Sequence, residues 1–331
     1  MNLERVSQIA QAVLYEGYML YPYRPSSVKN RQRWNFGVVY PPKFSDADGN
    51  EPSIMQMECL VSGTPDSTLE VRLRFLHLRT RSTVSSQVTT DRARSADWQE
   101  AIERDVVLPQ YGLADLVAGV TYFFTFPNET LSGPDLDTPG TSQYVVRRQS
   151  SIAGVIDVLA NRVQDGVFKL SVTVRNNTHH VNPERARDLA LMRSMVSTHV
   201  VLGIKSGGFI SLLEPPPELQ SVAVECRNVG VWPVLVGEQG ERDTLLASPI
   251  ILYDYPQIAP ESSGDLFDGT EIDEILSLRI MTLTEEEKRE VRASDERARQ
   301  ILERTENMPA EQFMKLHGVV RGMRPLKGDA S

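Results

Sequence analysis

Short apolar runs that alternate with polar residues, broken repeatedly by turn residues, set the tightest limit on what this chain can fold into. The clearest lies over 69–79. There Leu69, Val71, Leu73, Phe75 and His77 alternate with Glu70, Arg72, Arg74 and Leu76, giving one apolar face and one largely basic face. Similar patterns predict strands over 35–40, 54–61, 120–126, 152–160 and 167–175, with connections at 46–50 and 63–67. Gln164-Asp165-Gly166 between two apolar runs is a strong hairpin signal. Further strands are expected over 199–204, 209–213, 221–226, 231–236 and 245–253, with Gly203 to Gly208 as a hairpin turn and Pro215-Pro-Pro217 as a rigid connector.

Helices are expected at the margins. Val6, Ile9, Ala10, Val13 and Leu14 stand at helical spacing, and the prolines at 22 and 25 end that helix. Helical stretches are also expected over 97–107 and 183–196, and exposed loops over 80–97 and 128–142. Beyond residue 260 the chain turns acidic, and helices are expected over 272–281, 284–293, 294–307 and 309–317. Two stretches, beginning at Ser53-Ile54 and Ser151-Ile152, share a strand, turn, strand, helix, strand order that suggests duplication. The expected fold is mainly β with helical additions. It has an N-terminal helix and aromatic/basic connector (1–35), two β-sandwich-like modules (36–150 and 151–260), and an acidic linker with a small helical C-terminal region (261–331).

Composition excludes several function classes. Among 331 residues, 40% are hydrophobic and 24% charged, as in ordinary globular proteins. No run approaches the length of a transmembrane helix and no secretory leader pattern opens the chain, so a cytoplasmic location is expected. A net charge of -9 argues against general nucleic-acid binding. Cys59 and Cys226 can make at most one disulfide, and buried free thiols are the simpler expectation. His179 and His180 are adjacent and on extended chain would face opposite ways, so no metal site is expected. His77 and His199 read as core or rim histidines. No nucleophile elbow, phosphate loop or dinucleotide fingerprint is present, so no cofactor and no catalytic residue are assigned.

The most unusual local feature is Tyr21-Pro-Tyr-Arg-Pro-Ser-Ser-Val-Lys-Asn-Arg-Gln-Arg-Trp34. Arg24, Lys29, Arg31 and Arg33 gather among Tyr21, Tyr23 and Trp34, a combination suited to an anion or an acidic partner surface, or to pairing with the chain's own carboxylates. Ile272, Ile275, Leu276 and Ile280 form an apolar stripe that must dock on the chain itself or on a partner.

The segment from Tyr21 through Gly37 resembles uncharacterised accessory proteins encoded beside actinobacterial-type nickel-iron uptake hydrogenases. Val196-Ser-Thr-His-Val-Val-Leu-Gly203, Asn228-Val-Gly-Val-Trp-Pro-Val-Leu-Val-Gly237 and Asp273-Glu-Ile-Leu-Ser-Leu-Arg-Ile280 add to the resemblance. It implies a setting and no reaction. Two cysteines cannot supply a hydrogenase subunit's metal centres, so the implied role is an accessory or scaffold that contacts a hydrogenase component. Two alternatives stay open. One is a carbohydrate- or small-ligand-binding sandwich or a hydrolase built on one, with Trp98, Tyr122, Trp232 and Tyr253 as candidate aromatics. The other is a phage or secretion-apparatus structural component. A homo-oligomer is compatible with each.

Overall fold

Residues Ile54–Val84 form one strand of 31 residues, β1, in the computed structural model. The structure describes residues 36–48, 51–84, 98–134, 144–179 and 187–257, together with Val6, Ile9 and single positions between 283 and 307. The two strands expected over 54–61 and 69–79 are therefore one. The turn-like residues between them do not reverse the chain; they make a bulge, seen as a register shift between Gly63 and Thr68. Ser67 makes this possible. Its Oγ accepts from the Thr64 amide at 2.9 Å and donates to the Ser206 carbonyl at 2.6 Å, so the bulge's polar groups stay paired.

The basic face of β1 dictates its next neighbour. Strand β2 (Trp98–Val107) pairs antiparallel with Arg72 to Arg81 and sets Asp105 against Arg72 at 3.0 Å, Glu103 against Arg74 at 3.4 Å and Glu100 against Arg79. The helix expected over 97–107 is thus a strand, because cross-strand charge complementarity outweighs a weak helical pattern. Strand β3 (Tyr111–Gly112) follows on the same edge of β1. Strand β4 (Val120–Phe126) lies where expected, whereas part of the expected 128–142 loop is β5 (Glu129–Pro134), paired with β6 (Tyr144–Gln149). Part of the expected 80–97 loop is likewise the end of β1, which pairs there with β6.

Strands β7 (Ile152–Gln164) and β8 (Val167–Asn176) form the expected hairpin, with Gly166 at a φ of 67°. Strand β9 (Val196–Ile210) runs straight through the glycines expected to turn. Those glycines serve close approach. A Cβ on Gly207 would lie 2.7 Å from the Ser62 carbonyl oxygen of β1. Gly207→Ala is therefore expected to cost about 2 kcal/mol by forcing β1 and β9 apart, and an unchanged urea midpoint would contradict this reading of the contact.

Strands β10 (Trp232–Leu235) and β11 (Thr244–Ser248) complete an antiparallel sheet of eleven strands, ordered β10-β11-β9-β1-β8-β7-β4 with β2, β3 and β6 also on β1 and β5 on β6. Strand β11 ends at Ser248, short of the expected 253. Short α-helices lie outside the sheet, among them α1 (Pro42–Asp48), α2 (Arg187–Leu191) and α3 (Gln220–Val224). The strand expected over 35–40 reduces to a bridge between Val39 and Met195, and the prolines at 41 and 42 start α1 instead. The strand expected over 221–226 is α3, whose Ala223 is buried with Leu219 four residues earlier.

β1 pairs with β8 over Ile54–Ser62 and with β9 between Leu60 and Leu76, so the two expected modules share one sheet. That sheet folds over itself. Phe75 of β1 meets Phe124 and Phe126 of β4 at ring-centroid distances of 6.2 and 5.8 Å, although β8 and β7 separate the two strands in the pairing order. A single main core of aliphatic and aromatic side chains fills the space between. Val6 and Ile9 are helical and pack on Val201, Val236 and Leu246. Several positions from 285 to 306 are helical as well, with Lys288 and Arg292 both paired to Glu306. Among the described residues, no helix is long and apolar enough to cross a membrane.

Candidate functional site

The expected contact residues Tyr21, Tyr23, Arg24, Lys29, Arg31, Arg33 and Trp34 lie outside the described residues, as do Ile272, Ile275, Leu276, Ile280 and His180. The other histidines separate cleanly. His179 is exposed at the end of the β8 connection. His77 and His199 are fully buried. The His77 Nε2 lies 2.9 Å from the Ser150 carbonyl and the His199 Nδ1 lies 2.9 Å from the Ser197 carbonyl, so each of these nitrogens carries the proton as a donor. The opposite ring nitrogens have no partner. Burial pulls both pKa values down to about 4, helped at His77 by the Arg104 cation. Both are neutral core groups at physiological pH. Cys59 is a buried free thiol whose pKa burial pushes up, and half-buried Cys226 is raised to about 11 by the same cause. Neither is poised as a thiolate nucleophile.

A cleft of about 740 Å³ opens where β9, β10 and the segment after β11 end. Its walls are held by a compact hydrogen-bond network. The Ser211 hydroxyl donates to Asp254 and accepts from the amides of Leu213 and Glu214, which turns the chain out of β9 towards the rigid Pro215-Pro216 pair. The second Asp254 oxygen accepts from the Leu235 amide at 2.8 Å, tying that loop to the end of β10. Tyr255, held at a φ of 56°, donates from its backbone to the Leu235 carbonyl and from its hydroxyl to the Glu241 carbonyl. A non-glycine residue in the left-handed region persists only where its surroundings over-determine it, and these two hydrogen bonds do so here.

The network consumes Ser211 and Asp254. Asp254 uses both oxygens structurally and Ser211 uses its proton and two acceptor sites, so this pair orients a loop. What the cleft offers a visitor is a set of exposed side chains that make no hydrogen bond or ion pair among the described residues: Tyr253, 85% exposed at the rim, the Arg242 guanidinium, Gln239 and Glu214. An aromatic plate beside a cation, an amide and a carboxylate can stack on a flat apolar surface and read hydrogen-bonding groups along it. Tyr253 was expected as a candidate aromatic. Tyr122 instead packs on the core, and Trp232 lines a separate shallow pocket with Ile54 and Phe36. Arg242, Gln239, Glu214 and the Ser211–Asp254 clamp were missed, since they lie in three separate loops and only the three-proline connector marked any of them. Among the described residues, no group of three or more His, Cys, Asp or Glu side chains could hold a metal ion. No protein-family model and no curated protein matches the chain.

Proposed function

We propose that the chain is a noncatalytic binding protein, an accessory or scaffold in the cytoplasm that supports nickel-iron hydrogenase assembly or function by holding one of its components. The observation that carries this reading is the division of labour in the cleft. Its potentially reactive pair, Ser211 and Asp254, is spent on internal hydrogen bonds, while the side chains left open are suited to recognition. The hydrogenase setting rests on the sequence resemblance alone. The aromatic/basic segment around Arg24 to Trp34 and the Ile272 to Ile280 stripe are proposed as further contact surfaces. Affinity purification of the native chain at endogenous levels tests the reading: recovery of a hydrogenase component is expected, and recovery of none contradicts it.

A second reading has its own support in Tyr253. A rim tyrosine beside Gln239, Glu214 and Arg242 suits a sugar ring as well as a peptide, so the cleft is also proposed to fit a carbohydrate or small polar ligand. Titration with oligosaccharides distinguishes the two, because saturable binding that Tyr253→Ala abolishes favours the sugar. In either case Tyr253→Ala should change folding stability by less than about 0.5 kcal/mol, as expected for an exposed side chain. A larger loss in urea unfolding would make Tyr253 a structural residue instead.

A further inference from the structure

The sheet's open edges are not alike. Strand β10 carries Pro233, β5 carries Glu129 and ends in Gly133-Pro134, and β2 carries Glu100, Glu103, Arg104 and Asp105. Proline, glycine and charge are the devices that keep an exposed edge from pairing with another chain. Strand β4 closes the other end of the sheet and has none of them. Its sequence, Val120-Thr-Tyr-Phe-Phe-Thr-Phe126, is uncharged and rich in β-forming residues, and its pairing with β7 runs without a bulge. Beyond β7, its backbone makes no further hydrogen bond among the described residues. Phe123 projects from it 71% exposed, flanked by the exposed Thr121 and Thr125.

The strand is also close to a palindrome about Phe123. Laid antiparallel against a second copy of itself, it sets Phe123 against the partner's Phe123, Thr121 against the partner's Thr125 and Tyr122 against the partner's Phe124. The remaining pair sets Val120 against the partner's Phe126; hydroxyl meets hydroxyl, aromatic or apolar groups meet one another, and none of the pairs brings like charges together. That register joins positions of the same parity, so backbone groups facing outward on one copy meet outward-facing groups on the other. For two copies of a chain with a net charge of -9, a neutral edge is a favourable place to approach. We infer that β4 is a self-pairing edge, through which two copies of this chain join their sheets across a two-fold axis centred on Phe123. The contact is isologous and closes at two copies, so it builds a dimer and no filament.

Sedimentation of the full chain over a range of concentrations tests this. The wild type should show a reversible monomer–dimer equilibrium. Phe123→Lys, which places two ammonium groups opposite each other, should weaken the dimer about tenfold or more. Thr125→Lys provides a second charged variant, with unchanged circular dichroism confirming that each one folds. In a Cys226→Ser background, Phe123→Cys should give a disulfide-linked dimer under mild oxidation, because a directly paired position brings the two Cα atoms within bridging distance. A wild type that stays monomeric at all concentrations, a dimer that both lysine variants leave intact, or no cross-link at position 123 would each overturn the inference.

Discussion

Lowering the pH from 7 to 4 is expected to remove roughly 6 kcal/mol of stability through His77 and His199 alone, about 3 kcal/mol for each. Both side chains are neutral in the fold with pKa values near 4, against 6.5 in the unfolded chain. Above pH 6.5 neither state binds the proton and the stability is complete. Between 6.5 and 4 the unfolded chain takes up two protons that the folded chain refuses, so stability falls along with the pH. Below 4 both states are protonated and the loss from these groups stops. The refusal has a local cause: one nitrogen of each ring already donates to a carbonyl, and the other is buried with no hydrogen-bond partner to receive a new N–H. His77→Gln retains a donor for the Ser150 carbonyl and should abolish about half of the histidine-dependent slope in urea unfolding measured from pH 7 to 4. A slope equal to wild type would mean that His77 protonates freely in the folded state.

Phe75→Ala is expected to cost about 4 kcal/mol. Phe75 is fully buried on β1 and is the side chain on which β4 closes, since Phe124 and Phe126 both pack against its ring. Removing it leaves a cavity and also deletes the contact that folds one end of the sheet over the other. The Arg104 guanidinium lies 4.6 Å above the Phe126 ring and donates to Gln149 at 2.7 Å, so the disturbance should spread to β2 and β6. A thermal midpoint reduced by several degrees with loss of near-ultraviolet aromatic signal is expected, whereas a loss below about 1 kcal/mol would show that the two ends of the sheet hold together without this ring.

The legible part of the fold was the part written in local periodicity. The β7–β8 hairpin could be read because Asp165-Gly166 states its turn and the flanking runs state their faces, and β4 could be read from its aromatic alternation. Strands β1 and β9 were cut short for a physical reason. Thr64-Pro65-Asp66 and Ser206-Gly207-Gly208 carry turn chemistry, yet they lie against each other as a bulge and a close approach, and only the partner strand reveals that use. Strand β2 was missed because the charges of Glu100, Glu103 and Asp105 make sense only once they are ion-paired across the strands with Arg79, Arg74 and Arg72. The same limit applies to the cleft. Ser211, Leu235, Arg242 and Asp254 become neighbours only when β9, β10 and β11 are aligned, and a clamp of that kind leaves no spacing to recognise. The buried roles of His77, His199 and Cys59, by contrast, followed from their places in apolar alternation.

Equilibrium capture by the full-length chain and by its Tyr253→Ala/Arg242→Ala double variant, compared side by side at equal folded concentration, puts the recognition role of the cleft to trial. Wild-type protein should retain a hydrogenase component that the double variant releases about tenfold or more readily, a loss of at least about 1.4 kcal/mol of binding with folding unchanged. Equal retention by both proteins would show that the partner, if bound, sits elsewhere on the chain, and would contradict the reading of this cleft as its binding site.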